Sequence, residues 1–186
     1  CVGIKLDLTN EQIEKGIDSL KAVEGRMTSI EEGQDFSVIV DFAHTPDSFE
    51  KLLSDMRRQT KTPHRLIVMF GSAGRRDESK RAIQGEIAGR YADVVVVTEE
   101  DDRDVDGNEI MQQIASGAEI SGKKRDKDLF LVHNRTDAIE FAVGQAKKGD
   151  VVMLLGKGHE TTIERAHGED PWDEAAEARK AIKHKG

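Results

Sequence analysis

The chain has 186 residues, 37% hydrophobic and 34% charged, which suits one packed core of ordinary size under a well-solvated surface. A net charge of -8 and only 4% aromatics argue against nucleic acid, because phosphate backbones need clustered Lys and Arg and RNA-reading sheets need stacking rings. The single cysteine, Cys1, excludes a disulfide framework or a cysteine-cluster zinc site. The longest apolar runs are strand-length, short of the about 20 residues a membrane span needs. No stretch has the layout of a signal peptide, so a reducing cytoplasm is the expected location. The chain begins at Cys rather than Met and is expected to be a piece of a longer protein.

Thr9 and Gln12 have capping-box spacing ahead of an apolar stripe on Ile13, Ile17 and Leu20, which predicts a first helix. Gly25 ends that region, and residues 28–37, with Gly33 and Gln34, read as a linker. From Ser37 onward strands alternate with helices. Val38 to Phe42 is a short β-rich run, followed by a helix from about Pro46 to Arg58 that places a proline in its first turn. Leu66 to Phe70 precedes a helix carrying Ile83, Ile87 and Tyr91, and Val94 to Val97 precedes one carrying Ile110, Ile114 and Ala118. Leu129 to Val132 precedes Ala138, Phe141, Ala142 and Ala146 at helical spacing, and Val151 to Leu155 is a fifth strand. Thr161 to Arg165 is expected as a sixth, edge strand, and the last helix is expected to start at Pro171.

Continuous apolar strands alternating with amphipathic helices predict an α/β fold, a mainly parallel Rossmann-like sheet with helices on both faces. Ligands of such sheets bind outside the carboxyl ends of the strands, so the residues just after each strand matter most. After the first comes Asp41-Phe42-Ala43-His44-Thr45-Pro46, where Asp41 and His44 either hold a nucleotide or a metal or cap the following helix. After the second comes Gly71-Ser72-Ala73-Gly74-Arg75-Arg76-Asp77, either an anion site with arginines beside a helix start or a tight turn with solvent-facing arginines. The third strand ends in Glu99-Glu100-Asp101-Asp102-Arg103-Asp104, either a solvated loop or carboxylates placed for a ligand ammonium or a metal, with Arg103 able to grip a carboxylate. The fifth ends in Gly156-Lys157-Gly158-His159-Glu160, whose glycines permit close backbone approach to a ligand but which is not a P-loop. His64, His133, His167 and His184 show no obvious partner, Lys123-Lys124-Arg125 reads as a solvated turn, and Trp172 as a plug between the last helix and the sheet.

Taken together these residues resemble the C-terminal domain of the Mur ligase family, through Gly25-Arg26-Met27, the Asp41 to Pro46 run, Phe70 to Asp77 with Lys80-Arg81, and Gly156 to Glu160, all in the family's order. The resemblance implies a cytoplasmic, monomeric, ATP-dependent ligase of peptidoglycan synthesis, working through an acyl phosphate. It would add a diamino acid, meso-diaminopimelate or L-lysine, to UDP-N-acetylmuramoyl-L-Ala-D-Glu. Residues 1–34 would be the end of a central ATPase domain plus linker, and residues 35–186 an amino-acid-binding domain. ATP and Mg2+ would be held mainly by the central domain, whose phosphate loop has no counterpart here, so this chain would be inactive alone and hold no metal.

By the same resemblance Arg26, Asp41 and His44 would face the nucleotide. Arg76, Glu100, Asp101, Asp102, Arg103, Gly156 and Glu160 would bind the amino acid. The family's diaminopimelate-adding branch reads Asp-Asn-Pro-Arg where this chain reads Glu100-Asp101-Asp102-Arg103. The arginine is kept, and the residue pair that shapes the loop is not. A folylpolyglutamate synthase-type domain, which shares the Asp-x-Ala-His-x-Pro pattern, and a non-catalytic small-molecule-binding module are the alternatives.

Overall fold

The computed structural model describes residues 2–18 and 25–185. Two short helices come first, α1 (Val2–Lys5) and α2 (Asn10–Asp18). The Thr9 capping box forms as expected, with Thr9 N donating to Gln12 Oε1 at 2.9 Å and Gln12 N to Thr9 Oγ1 at 3.2 Å. The apolar stripe of α2 does not find a core, and Ile4, Leu6, Leu8 and Ile17 are exposed. Leu20, assigned to that stripe, lies outside the described residues.

The body of the molecule contains β1 (Thr28–Ser29), β2 (Ser37–Asp41), α3 (Pro46–Gln59), β3 (Leu66–Phe70), α4 (Ser79–Tyr91) and β4 (Val94–Val97). It continues with α5 (Gly107–Ile120), β5 (Leu129–Leu131), α6 (Arg135–Gln145), β6 (Val151–Leu155), β7 (Thr162–Arg165), β8 (Gly168–Pro171) and α7 (Glu174–Lys185). Six strands form one sheet in the order β1-β2-β6-β3-β4-β5, and all neighbours are parallel except β1 with β2. The expected mainly parallel sheet is what forms.

Alternate strand residues serve opposite faces, as the pleat requires. Leu66, Val68 and Phe70 join Phe49, Leu53, Ile87, Ile110 and Ile114 in one core, while Ile67 and Met69 join Val38, Val40, Ile139, Val143 and Ile182 in the other. Helices α3, α4 and α5 therefore cover one face, and α6 and α7 the other. Both faces being dry explains why the central strands read as unbroken apolar runs. Helices α4 and α5 cross with their backbones in contact. A Cβ on Gly85 would collide with Ile114 O, and one on Gly117 with Ala82 O. Helix α3 is started by Thr45 and Ser48 in a capping box with Pro46 in the first turn.

Several expectations need correction. Residues 28–30 are not linker. Thr28 and Ser29 pair antiparallel with Val40 and Ile39, and Ile30 is buried, because its side chain fills the second core beneath α7. Thr162–Arg165 is not an edge strand of the main sheet, since it turns back at once through Gly168, in a left-handed conformation, to pair with β8. Pro171 does not open the last helix. It is paired with Thr162 in β8, and Asp173 caps α7 instead, its Oδ1 accepting from Ala176 N at 2.9 Å. Three of the histidines have carboxylate partners after all, His133 with Asp102, His167 with Asp170 and His184 with Glu140. In the basic turn Lys123 donates to Asp93 O and Arg125 pairs with Glu119. Trp172 is half-buried against the second core, its Nε1 donating to Glu174 Oε2 at 2.7 Å.

Candidate functional site

The loops following β2, β3, β4 and β6 converge at the carboxyl end of the sheet around an open cleft of about 470 Å³. Its walls include Phe42, His44, Arg76, Lys80, Glu100, Asp101, Arg103, Gly156 and Glu160. Four stretches far apart in sequence thus supply one cavity, because each parallel strand ends at the same edge. Of the ten residues proposed for the site, seven line this cleft: His44, Arg76, Glu100, Asp101, Arg103, Gly156 and Glu160.

Arg76 is exposed at the mouth of the cleft and forms no hydrogen bond or ion pair among the described residues. Glu100 lies opposite in chemistry. It is only 7% exposed, reaches the cleft, and its carboxylate accepts no hydrogen bond among the described residues. Burial pushes its carboxyl above the usual carboxylate range, more strongly than the charges of Arg135, Lys80 and Lys157 pull it down. Glu100 packs directly over Gly156. That glycine has φ 105°, which favours glycine, and a Cβ there would displace the Glu100 carboxylate from its place.

Beside them Lys157, fully buried, is shared by two carboxylates: Asp101 Oδ1 at 2.9 Å and Glu160 Oε2 at 2.8 Å. Asp101 Oδ1 also accepts from Glu164 N at 2.9 Å, which anchors the β7–β8 hairpin to the β4 loop. Arg103 sits in a left-handed conformation, φ 57°, with Nη1 donating to Gly74 O at 2.7 Å and Nη2 paired with Glu164 Oε2 at 2.5 Å. Lys80 Nζ donates to His44 O at 3.0 Å across the cleft.

Three proposed residues lie elsewhere. Asp102 turns away from the cleft toward α5, where its Oδ2 meets His133 Nε2 at 3.2 Å and its Oδ1 is buried without a partner. Burial raises its carboxyl above the usual range, more than His133 lowers it. Asp41 does not cap the helix, a task done by Thr45. Both of its oxygens are engaged by backbone, Oδ2 by Met27 N and Oδ1 by Ala43 N, each at 2.8 Å. Asp41 thereby ties the Gly25–Met27 turn to the end of β2. Arg26 lies 5.0 Å from the centroid of the Phe42 ring, which also stacks near His44 and His159. His44 Nδ1 is 2.9 Å from Phe42 O.

Beneath the cleft lie further charged residues, of which the strand-end argument includes Glu99 and omits Arg135, Arg165 and Glu174. Arg135, fully buried, bridges Glu174 on α7 to the carbonyls of Glu99, in the loop after β4, and Leu155, the last residue of β6. Glu99 is clamped by Arg165 at 2.7 and 3.0 Å. Burial alone would raise the Glu99 carboxyl, but the hydrogen bonds from Arg165 and from the Arg135 amide bring it below its ordinary value. A charged residue just after a strand was the available signal for Arg135. Nothing local marked Glu164 or Glu174, whose arginine partners lie more than thirty residues away.

Residues 25–158 match the family described as Mur ligase, glutamate ligase domain. The chain is 48% identical over 170 residues to a UDP-N-acetylmuramyl-tripeptide synthetase of Roseiflexus sp. (strain RS-1), covering 91% of this chain and 33% of that protein. It is 38% identical to a UDP-N-acetylmuramoyl-L-alanyl-D-glutamate–2,6-diaminopimelate ligase of Alkaliphilus metalliredigens (strain QYMF), over 100% of this chain and 36% of the relative. A solved structure of a ligase of the latter description superposes with a TM-score of 0.77 at 29% identity, covering 99% of this chain and 36% of the other. The chain thus spans about a third of the length of the curated relatives it matches. The family match, covering three of the four loops that build the cleft and the start of the fourth, shows that this chain belongs to the Mur ligase family.

Proposed function

We propose that this chain is the amino-acid-binding domain of an ATP-dependent ligase that joins a diamino acid to UDP-N-acetylmuramoyl-L-Ala-D-Glu, a cytoplasmic step of peptidoglycan synthesis. The observation that carries this reading is the pairing of opposite, unsatisfied charges in one cleft. Arg76 offers a free guanidinium and Glu100 a buried carboxylate without a hydrogen bond. An apo cleft that leaves both open is complementary to a molecule bearing both a carboxylate and an ammonium. The names of the relatives, whose reactions consume such a molecule, support the same reading.

A carboxylate is a poor acyl donor, so ATP first phosphorylates the terminal carboxylate of the muramoyl dipeptide. The α-amine of the bound amino acid then attacks the acyl carbon. A C–N bond forms, the C–O bond to phosphate breaks, inorganic phosphate leaves, and the amine gives up a proton. What this domain contributes is position, since it holds the amine against the acyl phosphate when the domains close. Arg76 takes the carboxylate of the amino acid bidentately, and Glu100 and Glu160 face its ammonium groups. Arg26, stacked on Phe42, and His44 border the edge that meets the nucleotide, which Asp41 stiffens by holding the Met27 amide.

In this reading the Mg2+ that accompanies ATP is bound mainly by the central domain. The residues before Gly25 belong to the preceding central domain. The test is phosphate release by the full-length ligase. It should require ATP, UDP-N-acetylmuramoyl-L-Ala-D-Glu and a diamino acid together. Release that required a reduced folate and glutamate instead would establish the folylpolyglutamate synthase-type alternative.

A further inference from the structure

We infer that the cleft selects an α-amino acid whose side chain ends in an ammonium and carries no second carboxylate. In this assignment Glu100 is the partner of that ammonium, and Glu164 competes with a second carboxylate for Arg103. The inference rests on the function proposed above and decides which class of diamino acid that function uses.

A second carboxylate at the far end of the substrate needs a cation, and Arg103 is the arginine placed for it. Both terminal nitrogens of Arg103 are already engaged. Nη2 is paired with Glu164 Oε2 at 2.5 Å, and Nη1 donates to Gly74 O at 2.7 Å. The backbone makes the pairing part of the fold, since Arg103 N donates to Glu164 O at 3.0 Å and holds the β7 strand beside it. Glu164 therefore sits against Nη2, so a substrate carboxylate could not take the Nη1–Nη2 pair bidentately without displacing it. Of the neighbouring cations, Lys157 is fully buried and already divided between Asp101 and Glu160, and Lys80 donates to His44 O at 3.0 Å.

Glu100 points the other way in preference. It is 7% exposed, aimed into the cleft over Gly156, and accepts no hydrogen bond among the described residues. A distal carboxylate beside it would be repelled, whereas a distal ammonium would give it the partner it lacks. Arg76 remains for the single α-carboxylate. Meso-diaminopimelate ends in an ammonium as well, so the discrimination comes from its second carboxylate, which meets Glu100 and a cation already engaged. A charged group left without its partner discriminates by about ten- to a hundredfold.

The experiment compares kcat/KM of the full-length ligase for L-lysine, L-ornithine and meso-diaminopimelate, with ATP and UDP-N-acetylmuramoyl-L-Ala-D-Glu saturating. An amine-ended amino acid should be favoured at least tenfold. Glu164→Gln should narrow that ratio by improving the use of meso-diaminopimelate. Glu164→Asp, which draws the carboxylate back by one methylene, should do the same with less risk to folding. Glu100→Gln should raise KM for the amine-ended substrate and change that for meso-diaminopimelate less. A wild-type preference for meso-diaminopimelate would overturn the inference while leaving the ligase reading intact. So would an unchanged ratio in both Glu164 variants. If no amino acid supported phosphate release, the ligase reading itself would fail and the inference with it.

Discussion

Arg135 and Glu174 form a bidentate ion pair with no solvent contact, Nη2 to Oε1 at 2.7 Å and Nε to Oε2 at 2.9 Å. Because Arg135 also donates to the carbonyls of Glu99 and Leu155, the pair fixes the floor of the cleft to α7. Burying two charges is costly, and the cost is offset only while both remain and their hydrogen bonds are complete.

Glu174→Gln should therefore destabilise the protein by about 3–5 kcal/mol, the usual result of leaving one buried charge without its partner. Urea denaturation measures it. Replacing Arg135 and Glu174 together by Met and Leu should cost less than Glu174→Gln alone, since no orphaned charge remains. A cost below about 1 kcal/mol for the single variant, the range of exposed ion pairs, would mean that the pair is solvated.

A second stability prediction concerns the contact of α4 with α5. Ala is favoured over Gly in a helix by about 1 kcal/mol, but a methyl on Gly85 meets the backbone carbonyl of Ile114. The collision decides the sign, and Gly85→Ala should destabilise by about 1–3 kcal/mol. Gly144 on α6, with nothing within 4 Å of its missing Cβ, is the control. Gly144→Ala should be neutral or stabilising by up to about 1 kcal/mol.

Glu100 links stability, pH and binding. Its carboxyl is raised by burial, aided by Asp101 and opposed by Arg135, Lys80 and Lys157. Between its ordinary value and the raised one, the folded protein holds a proton that the unfolded chain has lost, so this group's contribution makes stability fall as pH rises. Glu100→Gln removes that slope. It should stabilise the unliganded protein at pH above the raised value, where Glu100 is ionised, because an unpaired buried charge costs more than an unpaired neutral group. In the wild type the amino-acid KM should fall as pH rises through the raised value, since an ammonium needs the ionised carboxylate. Parallel thermal and kinetic pH profiles of the two proteins check both statements. An unchanged slope in the variant would assign it to another group.

The central strands were legible because burial on both faces leaves an unbroken apolar run, as in Leu66–Phe70 and Val151–Leu155. Thr28–Ser29 was not, being two residues of antiparallel edge pairing with no run to see. The β7–β8 hairpin carries Glu164, Arg165, Glu169 and Asp170, and such polar composition hides a two-stranded ribbon. In the site the strand-end argument found Arg76, Glu100 and Arg103, because a parallel sheet sends its carboxyl ends to one edge. It could not find that Glu164 pairs with Arg103, or that Asp102 turns to His133, because both depend on pairing between distant segments. Asp41 was legible as a strand-end residue, but the helix-capping alternative is not what forms. Its two oxygens are held by the Met27 and Ala43 amides, contacts that composition does not announce.

The central claim, that the cleft captures the amino acid through Arg76, is tested most directly by the Michaelis constants of the full-length ligase carrying Arg76→Ala. Losing a hydrogen bond to a charged group, worth about 1.5–3 kcal/mol, should raise the KM for the diamino acid by about ten- to a hundredfold. The KM for ATP should hardly move. Arg76→Lys should rescue poorly, since an ammonium lacks the planar fork. An amino-acid KM unchanged in Arg76→Ala would contradict the account and leave Arg76 a surface arginine.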